Sequence, residues 1–153
     1  MAPRGLRPAG KTTGSLRLNR KFRTALLAAF VTLLLTGVVW LFADAQKERP
    51  TGEIWQGIAA WMLTLHGGVA MIALILLGAM IPLHIQRGWR SGRNLITGSA
   101  MVTLNAILIV TAFGLYYSGS DLGRPWISAV HTVFGLAAPL AVAVHIFIGR
   151  RSI

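Results

Sequence analysis

Four apolar stretches separated by short polar ones account for most of the chain: 25–43, about 54–85, 95–117 and 126–148. Each is close to or beyond the roughly 20 residues that a helix needs to cross a hydrocarbon core about 30 Å thick. The polar breaks carry turn chemistry. Pro50 and Gly52 lie in the first, Gly88 and Gly92 in the second, and Gly123 and Pro125 in the third. Connections this short favour antiparallel neighbours. The expected fold is therefore all-α, an integral membrane up-down-up-down four-helix bundle. Residues 24–149 form the bundle, 1–23 a basic N-terminal arm and 150–153 a short tail.

Composition agrees: 54% of residues are hydrophobic and 12% charged, and the mean hydropathy is +0.63. A soluble domain of this size needs far more polar surface. The net charge of +11 suggests nucleic acid until the charges are mapped. Seven basic residues precede the first span (Arg4, Arg7, Lys11, Arg17, Arg20, Lys21, Arg23). Arg87, Arg90 and Arg93 lie between the second and third spans, and Arg150 and Arg151 follow the fourth. The acids Asp44, Glu48, Glu53 and Asp121 fall in the other two loops. By the positive-inside rule both termini are cytoplasmic, as expected of a bacterial inner-membrane protein. The arm suits anionic headgroups, at about 1 kcal/mol per basic residue. No aromatic residue accompanies its charge before Phe22, which argues against nucleic acid. Ala43-Asp44-Ala45 resembles a signal cleavage site. The preceding apolar run, however, is longer than the roughly 7–15 residues of a signal core, so a true first span is expected.

The chain has no cysteine, which excludes C-x-x-C-H haem attachment, cysteine-ligated iron–sulfur clusters and thiolate metal sites. Histidine is left, and His66, His84, His131 and His145 all fall in apolar helical segments. Ionisable groups are costly in a bilayer and mark function there, usually with a partner. His66 and His84 in the second span are separated by five helical turns, and His131 and His145 in the fourth by close to four. Each pair shares a helix face, and the two spans run in the same direction. The geometry suits two bis-histidine haems, His66 with His131 outside and His84 with His145 inside. Trp61 and Trp126 each stand five positions before a histidine, which sets the outer pair at equal depth if both tryptophans sit at the outer interface. The axial separations, about 27 and 21 Å, differ by about four residues of rise. Pro82 and Pro139 can bend the helices to absorb this, with His84 the weakest ligand. A haem iron with an imidazole nitrogen on each side is six-coordinate, has no open position and suits electron transfer.

Gly67, Gly68, Gly78 and Gly135 allow a flat macrocycle to approach the backbone, though glycine also serves ordinary helix packing. Arg87, Arg90, Arg93, Arg150 and Arg151 at the inner end, and Arg124 at the outer, can hold propionates by charge-assisted hydrogen bonds. Topology-setting charge explains the same arginines. Asn105 and Thr103 either line a polar pocket or bond a neighbouring helix. Tyr116 and Tyr117 read as interfacial anchors. The plainer alternative for the histidines is four unrelated side chains, hydrogen-bonded or at headgroup level.

The stretches LHGGVAM around His66, IPLHIQRGWRSGRN around His84, TAFGLYYSG closing the third span, and ISAVHTVFGLAAPLAVAVHIFIGRR around His131 and His145 carry a resemblance. The chain resembles small four-helix membrane proteins of the cytochrome b type, in particular the DUF4405-type family. It is more distantly similar to the cytochrome b subunits of formate dehydrogenase and nickel–iron hydrogenase. The resemblance covers about residues 58–151 and implies haem-ligand roles for His66, His84, His131 and His145. It also implies electron transfer between the quinone pool and a redox partner subunit, a c-type cytochrome or an iron–sulfur protein. The minimal loops of this chain offer no obvious quinone pocket.

Three functions are compatible with these features. The first is a dihaem b electron-transfer subunit (one haem if the His84 pair does not form) within a larger complex. The second is a histidine-lined metal-ion or proton transporter, for which the spans offer no acid and few polar residues. The third is a haem-free anchor or assembly subunit. No nucleophile–base pair, phosphate loop or buried carboxylate pair marks a self-contained enzyme.

Overall fold

The computed structural model describes residues 19–92 and 94–151, which form helices and short turns with no strand among them. The helices are α1 (Arg20–Gln46), α2 (Gly52–Met80), α3 (Gln86–Ser91), α4 (Leu95–Tyr117) and α5 (Gly123–Arg151). A π-helical turn, Ile81–Ile85, joins α2 to α3 without a break. Four helical stretches are long and apolar enough to cross a membrane: α1, the 40-residue run Gly52–Ser91, α4 and α5. Most of the expected basic arm, Arg93 and residues 152–153 lie outside the described residues.

The helix ends have local causes. Asn19 caps α1, its side-chain oxygen accepting from the Lys21 backbone N–H at 3.0 Å, so the helix starts inside the basic segment. At the other end α1 continues past Asp44, where the apolar pattern stops, to Gln46. The Lys47 ammonium donates to Asp44 at 2.9 Å. That hydrogen bond first, and the carboxylate charge second, hold Lys47 above its ordinary range. The pair is exposed and contributes little to stability. Gly52 sits so close to the Lys47 carbonyl that a Cβ there has no room, which ties the turn to glycine.

The segment 86–94, expected as a loop, is helical as far as Ser91. Gly88 lies inside α3 without breaking it, since one glycine costs a helix only about 1 kcal/mol. The break comes at Gly92, which ends the helix in the left-handed region at φ 67°, and at Asn94, φ 54°. Those conformations turn the chain into α4.

Packing divides the molecule into two hairpins. α1 lies along α2 and α4 along α5 in close backbone contact, whereas such contacts between α2 and α5 are sparse. The residues buried at these contacts are mostly small: Ala29, Thr36, Ala43, Ala73 and Ala138, with Leu104 the largest. Small residues let membrane helices approach closely. Among the described residues no large side chain is fully buried, and Trp61, Ile75, Ile96 and Leu140 stand exposed. The apolar surface thus faces outward, as expected of a chain solvated by lipid.

Candidate metal centre

Two pairs of histidine rings cross from one hairpin to the other. His66 on α2 meets His131 on α5, their ring centroids 6.3 Å apart and their planes at 73°. His84, in the π-turn, meets His145 on α5 at 6.2 Å and 85°. These are the two pairs that the helix spacing predicts. A single metal ion between two imidazoles sets a distance of this size. A metal–nitrogen bond of about 2.0 Å plus about 1.1 Å from nitrogen to ring centre, taken on both sides, gives about 6.2 Å.

The second helix of each hairpin carries the outer-pair histidine and the first carries its hydrogen-bond partner. The Thr36 hydroxyl on α1 lies 3.0 Å from His66 Nδ1. On α4 the Thr111 hydroxyl lies 2.9 Å from His131 Nδ1. Each hydroxyl has one proton, which goes to the carbonyl four residues back on its own helix. Thr36 donates to the Thr32 carbonyl at 2.7 Å, and Thr111 to the Ile107 carbonyl at 2.7 Å. The hydroxyl oxygen therefore accepts from the ring, Nδ1 carries the proton, and the Nε2 lone pair is left to bind a metal. His145 Nδ1 has a similar partner, the Thr97 hydroxyl of α4 at 3.1 Å. His84 Nδ1 is buried with no partner among the described residues.

The π-turn at His84 has its origin in Pro82. Proline has no N–H to return to the Gly78 carbonyl, so the ladder loosens, and the Gln86 N–H closes a longer ring onto Ile81. The five-turn count between His66 and His84 assumes an unbroken α-helix. The structure replaces part of it with a wider turn and still brings His84 to His145 at the same spacing as the outer pair.

The supporting residues divide. Arg87 and Arg90 on α3 and Arg150 on α5 are exposed at the end that carries His84 and His145. The guanidinium of Arg151 lies over the Phe147 ring, 4.1 Å from its centroid. Arg124 donates to the Ser118 carbonyl at 3.4 Å and so bridges its own loop. Arg93, expected beside the inner pair, is outside the described residues. A Cβ at Gly67, Gly68 or Gly78 would meet open space, whereas one at Gly135 would reach Leu108 of α4 at 4.0 Å, a helix-packing contact. Asn105 donates to the Met101 carbonyl of its own helix at 2.8 Å rather than to a neighbouring helix. Thr103 is exposed. Tyr116 and Tyr117 form an exposed aromatic cluster with Phe113.

Sequence reasoning misses the threonines as site residues, because a threonine bonding back along an apolar helix is ordinary. A signal is present: Thr97 and Thr111 on α4 are separated by the same interval as His131 and His145 on α5. Gly37 is missed too; a Cβ there would touch His66 Cε1 at 3.5 Å, so α1 passes directly over that ring.

Each site brings two imidazoles together, and among the described residues no group of three or more metal-ligating side chains occurs. A bare protein metal site ordinarily needs three or four protein ligands. Two imidazoles from different helices would fit a group that brings further ligands of its own, as a haem does. The chain matches no protein-family model, no curated protein and no solved structure.

Proposed function

We propose that the chain is a dihaem b membrane cytochrome subunit that relays electrons across the membrane. The observation that carries this reading is the pair of histidine couples between α2 and α5, 6.3 and 6.2 Å between centroids. His66 with His131 would hold one haem b and His84 with His145 the other. Haem b would supply one-electron chemistry there, held by two histidines at each site. Thr36, Thr111 and Thr97 orient three of the four rings. Arg87, Arg90 and Arg150 offer cations for acidic substituents at the inner end. The reading includes an up-down-up-down topology with both termini in the cytoplasm of a bacterial inner membrane, which the distribution of basic residues supports. The terminal partners, a quinone and a c-type cytochrome or iron–sulfur subunit, come from the resemblance. With short loops and no catalytic constellation, the chain works inside a larger complex.

A dithionite-reduced minus oxidised spectrum, with haem counted as pyridine haemochrome, tests the reading. Two haems b per chain are expected. One would remove the inner site, and none would leave a haem-free anchor. His84→Ala probes the inner site separately: alanine leaves His145 as the one imidazole there, and the count is expected to fall from two to one.

A further inference from the structure

We propose that Thr36 and Thr111 are positioning residues that hold His66 and His131 as Nδ1–H tautomers, making this couple a stronger donor set than His84 with His145. The proposal rests on the two-haem reading. Its first support is a repeated geometry. In both hairpins the hydroxyl donates to the carbonyl four residues back at 2.7 Å and approaches the one three back at 3.1 Å. The ring nitrogen meets the same oxygen at 3.0 Å in one hairpin and 2.9 Å in the other. Two helices with unrelated flanking sequence build the same relay of carbonyl, hydroxyl and imidazole. The hydroxyl, polarised by its own bond to the carbonyl, takes up part of the Nδ1 proton. The opposite nitrogen becomes more basic and stabilises an oxidised metal.

The second support is the asymmetry between the couples. The second hairpin repeats its threonine–histidine contact further along the same two helices, with Thr97 and His145. The first hairpin has no such repeat: at the matching interval before Thr36 stands Phe22, and at the matching interval after His66 stands Met80. His84 comes later still, in the π-turn, with its Nδ1 buried and without a partner among the described residues. The inner couple therefore has one hydroxyl-bonded ring where the outer has two. The cations Arg87, Arg90 and Arg150 beyond it disfavour an oxidised metal further. The chain thus holds two couples of equal spacing and unequal potential, the lower one between His66 and His131.

Equilibrium redox titration of the purified, haem-loaded protein, followed by the reduced α-band and by electron paramagnetic resonance of the oxidised form, reads this out. Two potentials are expected, the lower one lost in His131→Ala. Thr36→Val and Thr111→Val should each raise that lower potential by about a tenfold change in the one-electron equilibrium, about 59 mV. Thr36→Ser and Thr111→Ser should restore it, and Thr97→Val should move only the higher one. Unmoved potentials in both valine variants, with two haems still bound, would overturn the proposal and leave the haem reading standing. Haem lost from the valine variants but kept by the serine ones supports it. Haem lost from both sets assigns the threonines to packing and overturns it. A wild-type protein without haem would remove the underlying reading instead.

Discussion

His131→Ala is expected to halve the haem content, from two haems b per chain to one, and to reduce the α-band of the reduced protein by about half. His131 meets His66 across the gap between α2 and α5, and alanine supplies no imidazole. A haem b at this site would be held by His66 alone. The fold should survive the change. His131 is only half-buried, and the cost beyond the lost ligand is one unmet hydroxyl contact at Thr111, on the order of 1 kcal/mol. The His84–His145 couple stands almost four helical turns away along α5 and should keep its haem. His145→Ala should give the complementary result and the double variant a colourless protein. Unchanged haem in His131→Ala would return the histidine to a packing role.

The haem-free chain is expected to be far less stable than the loaded one. Among the described residues no large side chain is fully buried, and backbone contacts between α2 and α5 are sparse. The hairpins therefore have little backbone packing against each other. A ligand that binds only the folded form adds RT ln(1 + [L]/Kd), about 4 kcal/mol at a thousandfold excess over Kd. For a domain of this size that corresponds to a shift in Tm of roughly 10 °C. Protein produced in haem-depleted cells and melted in the same detergent as the loaded form should show a drop of this order. Equal melting temperatures would mean that the hairpins hold together without a cofactor.

The spans are readable because the bilayer imposes a coarse rule on length and composition, and α4 matches the expected 95–117 at both ends. Where ends differ, local capping overrides hydropathy. Asn19 starts α1 early, and the helix beyond His84 persists to Gly92 because no proline or positive-φ residue intervenes. The pairing of the histidines is legible from their spacing alone. The hydroxyls behind them are not, because each contact joins positions far apart in the chain, on different helices. The π-turn is legible only as a bend at Pro82. Turn counting cannot foresee that the bend keeps His84 on target.

The joint between the hairpins carries a consequence for assembly. Gly92 and Asn94, both in left-handed conformations, connect two helical hairpins whose mutual backbone contacts are few. Each hairpin can satisfy its own backbone hydrogen bonds on entering the bilayer, before it meets the other. Their association is then the last step, and the short tether makes it intramolecular, with an effective concentration in the millimolar range. On the two-haem reading the ligands of each centre are divided between partners that never leave one another, and cofactor capture and the docking of the two halves would become a single event.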